Sequence, residues 1–149
     1  MKKIILYTAS LLVFMACDTS IKPIQYGRDQ CDYCSMGIVQ KTHSAQLVTS
    51  KGKQRKFDAI ECMVNYIEKD SQSLKDANLW VANYTAPGQM IPAKEASYLI
   101  SKNLPSPMGA YLTAFKNEAD ALKTKKQLEG SIHHWGELPE AIKKDVYSK

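Results

Sequence analysis

The six residues Cys31-Asp32-Tyr33-Cys34-Ser35-Met36 constrain this chain more than any other stretch. They carry two thiols and a thioether side by side, a density of sulfur that core packing does not call for. Thiolate and thioether are the ligands that select Cu(I). A fold built around this hexapeptide must leave its sulfur atoms free to hold an ion or to exchange. Almost everything else in the chain reads as scaffold or tether for it.

The 149 residues suit one domain or two very small ones, and a content of 44% hydrophobic and 23% charged residues is that of a globular protein. Residues 1–16 stand apart. Lys2-Lys3 is a basic start, and Ile4 to Ala16 is apolar with Ser and Thr but no charge. The run is too short to span a bilayer permanently and reads as a signal peptide. It ends at Val13-Phe14-Met15-Ala16-Cys17, a small residue before a cysteine that resembles a bacterial lipobox, with Phe14 where Leu is commoner. The resemblance implies cleavage before Cys17, lipidation of its thiol, and attachment to the periplasmic side of a bacterial membrane through buried acyl chains. Residues 17–30 are polar with one Pro and one Gly and read as a flexible tether. The domain proper is expected over residues 31–149.

Loss of residues 1–16 removes Lys2 and Lys3 and lowers the formal charge from +5 to +3. The remaining excess is concentrated at Lys51-Gly52-Lys53-Gln54-Arg55-Lys56, which reads as a solvated hairpin tip. Beyond a membrane, nucleic acid is not an expected partner; anionic lipid or an acidic protein fits such a charge. With Cys17 lipidated, three thiols remain: Cys31, Cys34 and Cys62. An odd number in an oxidising compartment cannot all pair as disulfides, so at least one is free or masked by a metal.

Hydrophobic patterning predicts an α+β fold. Ser44 to Ser50 alternates Ala45, Leu47 and Thr49 with Gln46 and Val48, a strand; residues 51–54 turn and Arg55 to Phe57 returns. Asp58 and Glu61 have the spacing of a helix cap and its reciprocal partner. In the helix that follows, Ile60, Met63, Val64 and Ile67 form the buried stripe, with Cys62 on its edge. Met63 therefore reads as core, although it remains a candidate ligand. Cys62 stands open between a small buried hydrophobe and a participant in metal or redox chemistry. Leu79 to Tyr84 reads as a strand, followed by a loop with Pro87, Gly88 and Pro92, and Glu95 to Ile100 as a short helix. Pro105 and Pro107 bracket a Ser106 expected at the surface. Tyr111 to Phe115 is a strand, Asn117 caps a helix to about Gln127, Ser131 to Trp135 is a last strand, and Pro139 opens a terminal helix to Tyr147. Phe57 and Phe115 each end a strand before an Asp or Asn cap and a helix, an internal echo that suggests two related units, about 31–78 and 79–149.

Three chemistries use a CxxC pair. Redox catalysis needs a lowered thiol pKa; no helix follows the pair, and the Asp32 carboxylate between the thiols is expected to raise it. Structural zinc wants four N or S ligands, and beyond this pair only Cys62, His43, His133 and His134 are available, the last two alternating along a strand. Cu(I) accepts two or three soft ligands and is served by Met. Cys34 and Met36 stand at i and i+2, one face of an extended chain. A second thioether, Met108, lies between Pro107 and Gly109, in a loop fixed before it and permissive after it. One thiolate and two thioethers give a neutral Cu(I) complex, firm yet able to release to a stronger acceptor.

These residues resemble the NosL family of copper-binding lipoproteins linked to assembly of nitrous oxide reductase, the copper enzyme of denitrification. The matching stretches, in family order, are Cys31-Asp-Tyr-Cys34-Ser-Met36-Gly37, Phe57-Asp-Ala-Ile-Glu-Cys62-Met63, Trp80-Val-Ala-Asn-Tyr84, Leu104-Pro-Ser-Pro-Met108-Gly109 with Ala114-Phe115, and Asn117-Glu-Ala-Asp-Ala121. The resemblance implies two small, similar β/α units related to the organomercurial lyase scaffold. It implies a non-enzymatic, extracytoplasmic Cu(I) chaperone anchored at Cys17, with copper on Cys34, Met36 and Met108 and Cys31 as an extra thiol. Copper would pass to a membrane transport complex or directly to the reductase. Ala110-Tyr111 and Glu129-Gly130 stand where the family carries further glycines; neither touches a proposed ligand. Two other readings compete: a thiol–disulfide protein using Cys31 and Cys34, and a carbon–metal lyase with Asp32 or Asp58 as acid.

Overall fold

A computed structural model describes residues 19–147; the expected signal peptide and the Cys17 lipidation site lie outside the described residues. Two antiparallel sheets organise the chain. The first contains β1 (Ala45–Val48), β2 (Gln54–Phe57), β3 (Asn78–Ala82) and β4 (Met90–Pro92) in the order β2-β1-β3-β4. The second contains β5 (Ser97–Ile100), β6 (Leu112–Phe115) and β7 (Ser131–His134) in the order β6-β5-β7. Helix α1 (Ile60–Lys69) links β2 to β3, α2 (Glu118–Leu128) links β6 to β7, and α3 (Leu138–Tyr147) ends the described chain.

The internal echo is topological. In each unit the first strand is central, the second folds back beside it, a helix follows, and the third strand joins the other edge. Phe57 stands opposite Ala45 in one unit and Phe115 opposite Ser97 in the other. The boundary is not at residue 79, however, because β3 and β4 complete the first sheet and the second unit starts at Ser97.

Three expectations give way for related reasons. The segment expected to be helical over Glu95 to Ile100 is a single 3-10 turn, Ala93–Glu95, followed by strand β5. All four β5 residues are buried, covered on both faces and paired on both edges. Such a strand reads as an unbroken apolar run with no alternation to distinguish it from a helix. β4 was hidden by Pro92, which an edge strand tolerates. In β1 every residue is buried, Gln46 included. The covering for its Gln46 face comes from the stretch expected to be a tether. Gln46 Nε2 donates to Lys22 O and to Gln54 Oε1 (2.8 Å each), Gln54 Nε2 to Ser20 O (2.8 Å), and Lys56 Nζ to the Asp29 carboxylate (2.6 Å). Ile24 and Tyr26 pack on the core. Residues 20–30 thus form part of the folded domain.

The main core runs from the first sheet through α1 to the second sheet and α3, with Leu47, Phe57, Ile60, Met63, Val81, Tyr98, Leu112 and Ile142 among its members. Full burial of each large apolar side chain contributes roughly 1.5–3 kcal/mol. A smaller cluster of Leu99, Phe115 and Ala121 seats α2 on the second sheet. Asn117 caps α2 as expected, accepting from the Asp120 N–H at 2.9 Å. Asp58 does not cap α1. The helix starts one residue later than that spacing requires, from Ala59, and has no side-chain cap.

His43 ties the two units together. Its ring lies 2.9 Å from Thr42 Oγ1 and, through Nε2, 3.2 Å from Thr113 Oγ1 of β6. Burial lowers its pKa from 6.5 to about 4. Between those values the unfolded chain binds a proton that the folded chain refuses, so stability falls as pH drops through the window, by about 3 kcal/mol in the limit. Urea unfolding of His43→Gln between pH 7 and pH 4 should show a correspondingly flatter dependence than the parent. An unchanged slope would mean that another group carries the acid sensitivity.

Candidate metal centre

The hexapeptide folds into a tight loop rather than an extended strand. The Cys31 N–H donates to Met36 O (2.8 Å), the Ser35 N–H donates to Cys31 O (2.9 Å), and Gln30 and Gly37 form a β-bridge at its base. Ser35 adopts a left-handed φ of 64°, which overturns the simple i, i+2 strand relation of Cys34 and Met36. Asp32 is engaged by β2. Its carboxylate takes Arg55 Nη1 at 2.7 Å and the Lys56 N–H at 2.8 Å, fastening the loop to β2.

Cys62 arrives from the first turn of α1. The sulfur atoms of Cys31, Cys34 and Cys62 all lie within 4.8 Å of one another, and all three are free thiols. Cys31 and Cys62 are 2% and 1% exposed, whereas Cys34 is half-buried and forms the solvent side of the cluster. Among the described residues no His, Asp or Glu joins them as a further ligand.

The three thiols differ in acidity. The Cys62 thiol donates to Cys31, and the N–H groups of Cys34, Asp58 and Tyr33 add to it; against burial, these lower the Cys31 pKa to about 5. Cys62 is driven far upward, first because its proton is held in that bond and then by burial. Burial is also the main reason that Cys34 rises, with the N–H of Met36 opposing it and the charge on Cys31 adding to it. The expectation that Asp32 raises both thiols therefore fails for Cys31: the carboxylate is spent on Arg55, and backbone donors surround the sulfur.

Met36 and Met108 are 46% and 41% exposed, so neither fills a gap in the core. Met63 is fully buried on the packed face of α1. The Met108 loop is a turn in which the Gly109 N–H reaches Ser106 O (3.1 Å), with Pro107 preceding Met108 and Gly109 at φ 79°. It is pinned to α1 through Glu61, the residue next to Cys62. Glu61 Oε1 accepts from the Ser106 hydroxyl and from the Ala110 N–H (3.4 Å). Burial raises the Glu61 pKa. Ser106, expected at the surface, is buried. The signal in the sequence for this anchor was Glu61 itself, an acid on the edge of a buried stripe, but its spacing from Asp58 suggested a cap. His133 lies in β7 with Ser131 Oγ 2.7 Å from its Nε2.

A doubled β-β-α-β architecture with three thiols gathered at the edge of its core is that of a small α+β protein bearing a soft-metal type of ligand cluster. The family model described as NosL matches residues 24–143, and the chain belongs to the NosL family. It is 26% identical over 137 residues to the copper-binding lipoprotein NosL of Stutzerimonas stutzeri, covering 87% of this chain and 72% of that relative. The fold matches the crystal structure of the copper chaperone NosL from Shewanella denitrificans with a TM-score of 0.69 at 18% identity, over 80% of this chain and 96% of that one.

Proposed function

We propose that this protein is an extracytoplasmic Cu(I) carrier, held on the periplasmic side of a membrane by lipid on Cys17. Cu(I) is bound by Cys34, Met36 and Met108, with the thiols of Cys31 and Cys62 beside them, and is handed to a copper enzyme. Nitrous oxide reductase is the recipient that the family suggests, reached directly or through a membrane transport complex. The observation that carries this reading is the cluster of three free thiols within 4.8 Å of one another, opening to solvent at Cys34. Such a set suits a two- or three-coordinate soft cation and lacks the fourth ligand of a structural zinc site. The exposed thioethers add ligands that Cu(I) uses and zinc does not. Among the described residues no helix is long and apolar enough to cross a membrane, so a lipid anchor is the route to the bilayer that this reading invokes.

A thiol–disulfide function draws on the lowered pKa of Cys31. That sulfur is 2% exposed, however, and cannot reach the disulfide of a protein substrate, while the accessible Cys34 is the one whose pKa rises. A reactive redox thiol needs both thiolate character and access.

Anaerobic titration of the full chain in detergent with Cu(I), against a colorimetric chelator, should reveal one tightly held equivalent that a tenfold excess of Zn(II) does not displace. Failure to hold Cu(I) against the chelator, or displacement by Zn(II), would remove the carrier reading.

A further inference from the structure

The exposure of the candidate sulfur ligands falls from the thioethers to the thiols. Met36 and Met108 are exposed, Cys34 is half-buried, and Cys31 and Cys62 are sealed in the core. We propose a second Cu(I) position formed by Cys31, Cys34 and Cys62, which shares Cys34 with the Cys34–Met36–Met108 position and lies beneath it. Copper then passes between an exposed exchange position and a buried retaining one. This inference rests on the carrier reading above and gives a coordinating role to the two thiols that reading sets beside its ligands.

The geometry fits a trigonal ion. Taking the roughly 2.3 Å of a zinc–thiolate bond as the scale, three sulfurs around a central ion stand about 4 Å apart. The free cluster lies within 4.8 Å, so closure needs movements of less than about 1 Å on that scale. The framework already holds two corners. Cys62 is fixed in the first turn of α1, where its N–H reaches Ala59 O at 3.1 Å. Cys31 is fixed at the base of the loop by its N–H bond to Met36 O. The third corner, Cys34, precedes the left-handed Ser35 turn and is half-buried on the solvent side.

Charge separates the two positions. With one thiolate and two thioethers the outer complex is neutral; each additional thiolate in the inner complex adds a negative charge. The N–H groups of Tyr33, Cys34 and Asp58 directed at the Cys31 sulfur supply the compensation that such a buried anion requires. Thiolates bind Cu(I) more firmly than thioethers do, so the inner position retains and the outer one releases. Because Cys34 belongs to both, the ion moves by exchanging Cys31 and Cys62 for Met36 and Met108 while one bond persists. Copper stays Cu(I) throughout. A thiol that joins the copper gives its proton to solvent, and a thiolate that leaves the copper takes one back.

The test uses the selenomethionine-labelled full chain in detergent, loaded anaerobically with half an equivalent of Cu(I), and X-ray absorption at the copper edge. Labelled methionine makes any thioether ligand visible as a copper–selenium distance. The parent should show a sulfur shell with little selenium. Cys62→Ala should bring selenium into the shell and weaken retention against the chelator by about tenfold or more. Met36→Leu/Met108→Leu, altered only at exposed side chains, should still hold one equivalent, with copper released more slowly to the chelator. Loss of binding in that double variant, or the same strong selenium signal in the parent and in Cys62→Ala, overturns the inner position while leaving the carrier reading intact. A parent that binds no Cu(I) overturns the carrier reading, and the inner position with it.

Discussion

The double variant Cys31→Ala/Cys34→Ala should lose tight Cu(I) binding, its affinity falling at least about 10⁴-fold, or about 5.5 kcal/mol. Every ligand set open to this site needs one of these two sulfurs. The outer set loses its only thiolate, and two exposed thioethers are neutral and weak. The inner set keeps only Cys62, a buried thiol whose pKa is driven up by burial among its causes and which has lost its hydrogen-bond partner. Alanine suits the vacated spaces, since free Cys behaves in a core as a small hydrophobe. The measurement is competition with a Cu(I) chelator under anaerobic conditions, with thermal unfolding alongside to verify the fold. A folded double variant that binds within tenfold of the parent would place the copper on other side chains, and the thiol cluster would lose its assigned purpose.

The sequence made the local elements of this protein legible wherever pattern and cap agreed. Asn117 announces α2 because its side chain does cap the helix, and the stripe through Ile60, Met63 and Val64 faces the core as its spacing requires. The motifs at Cys31, Cys34, Met36 and Met108 carried the family, because sulfur in such a density serves little besides metal binding and thiol exchange. What was illegible depended on contacts from afar. Glu95 to Ile100 gave no alternation because both faces of β5 are covered, one of them by α2 from eighteen or more residues further along the chain. Residues 20–30 look like a tether by composition. Their hydrogen bonds to Gln46, Gln54 and Lys56 depend on a sheet that forms later in the sequence. Asp32 next to two cysteines suggested raised thiol pKa values. Only the fold shows that Arg55 of β2 draws the carboxylate away while backbone N–H groups converge on Cys31. Cys62 is the plainest case. Its place on the edge of a helical stripe left its role open, and the closing of α1 against the hexapeptide loop brings its sulfur to the other two.

Glu61→Ala should lower stability by about 3 kcal/mol and the melting temperature by about 10 °C, with Glu61→Gln retaining most of both. Glu61 is buried, and two donors of the Met108 loop converge on its carboxyl: the Ser106 hydroxyl and the Ala110 N–H. Removal of the acceptor leaves these groups in a site with little water, at roughly 1–3 kcal/mol for each donor left unsatisfied, less whatever solvent enters the vacated space. Burial raises the Glu61 pKa, and Oε2 has no partner among the described residues. An amide keeps the Oε1 acceptor and removes the buried charge, which offsets the unpartnered NH2 set at the Oε2 position, so glutamine should serve. Differential scanning of the three proteins decides the matter. Equal losses in the two variants would show that the charge of the carboxylate, not its acceptor, holds the loop. An unaltered melting temperature for Glu61→Ala would show that the loop is held by other contacts. The consequence reaches the metal site through one peptide bond. Glu61 holds the Met108 loop from the residue beside Cys62, so at the proposed copper site a loosened loop in Glu61→Ala should slow the release of Cu(I) to the chelator even where the fold survives.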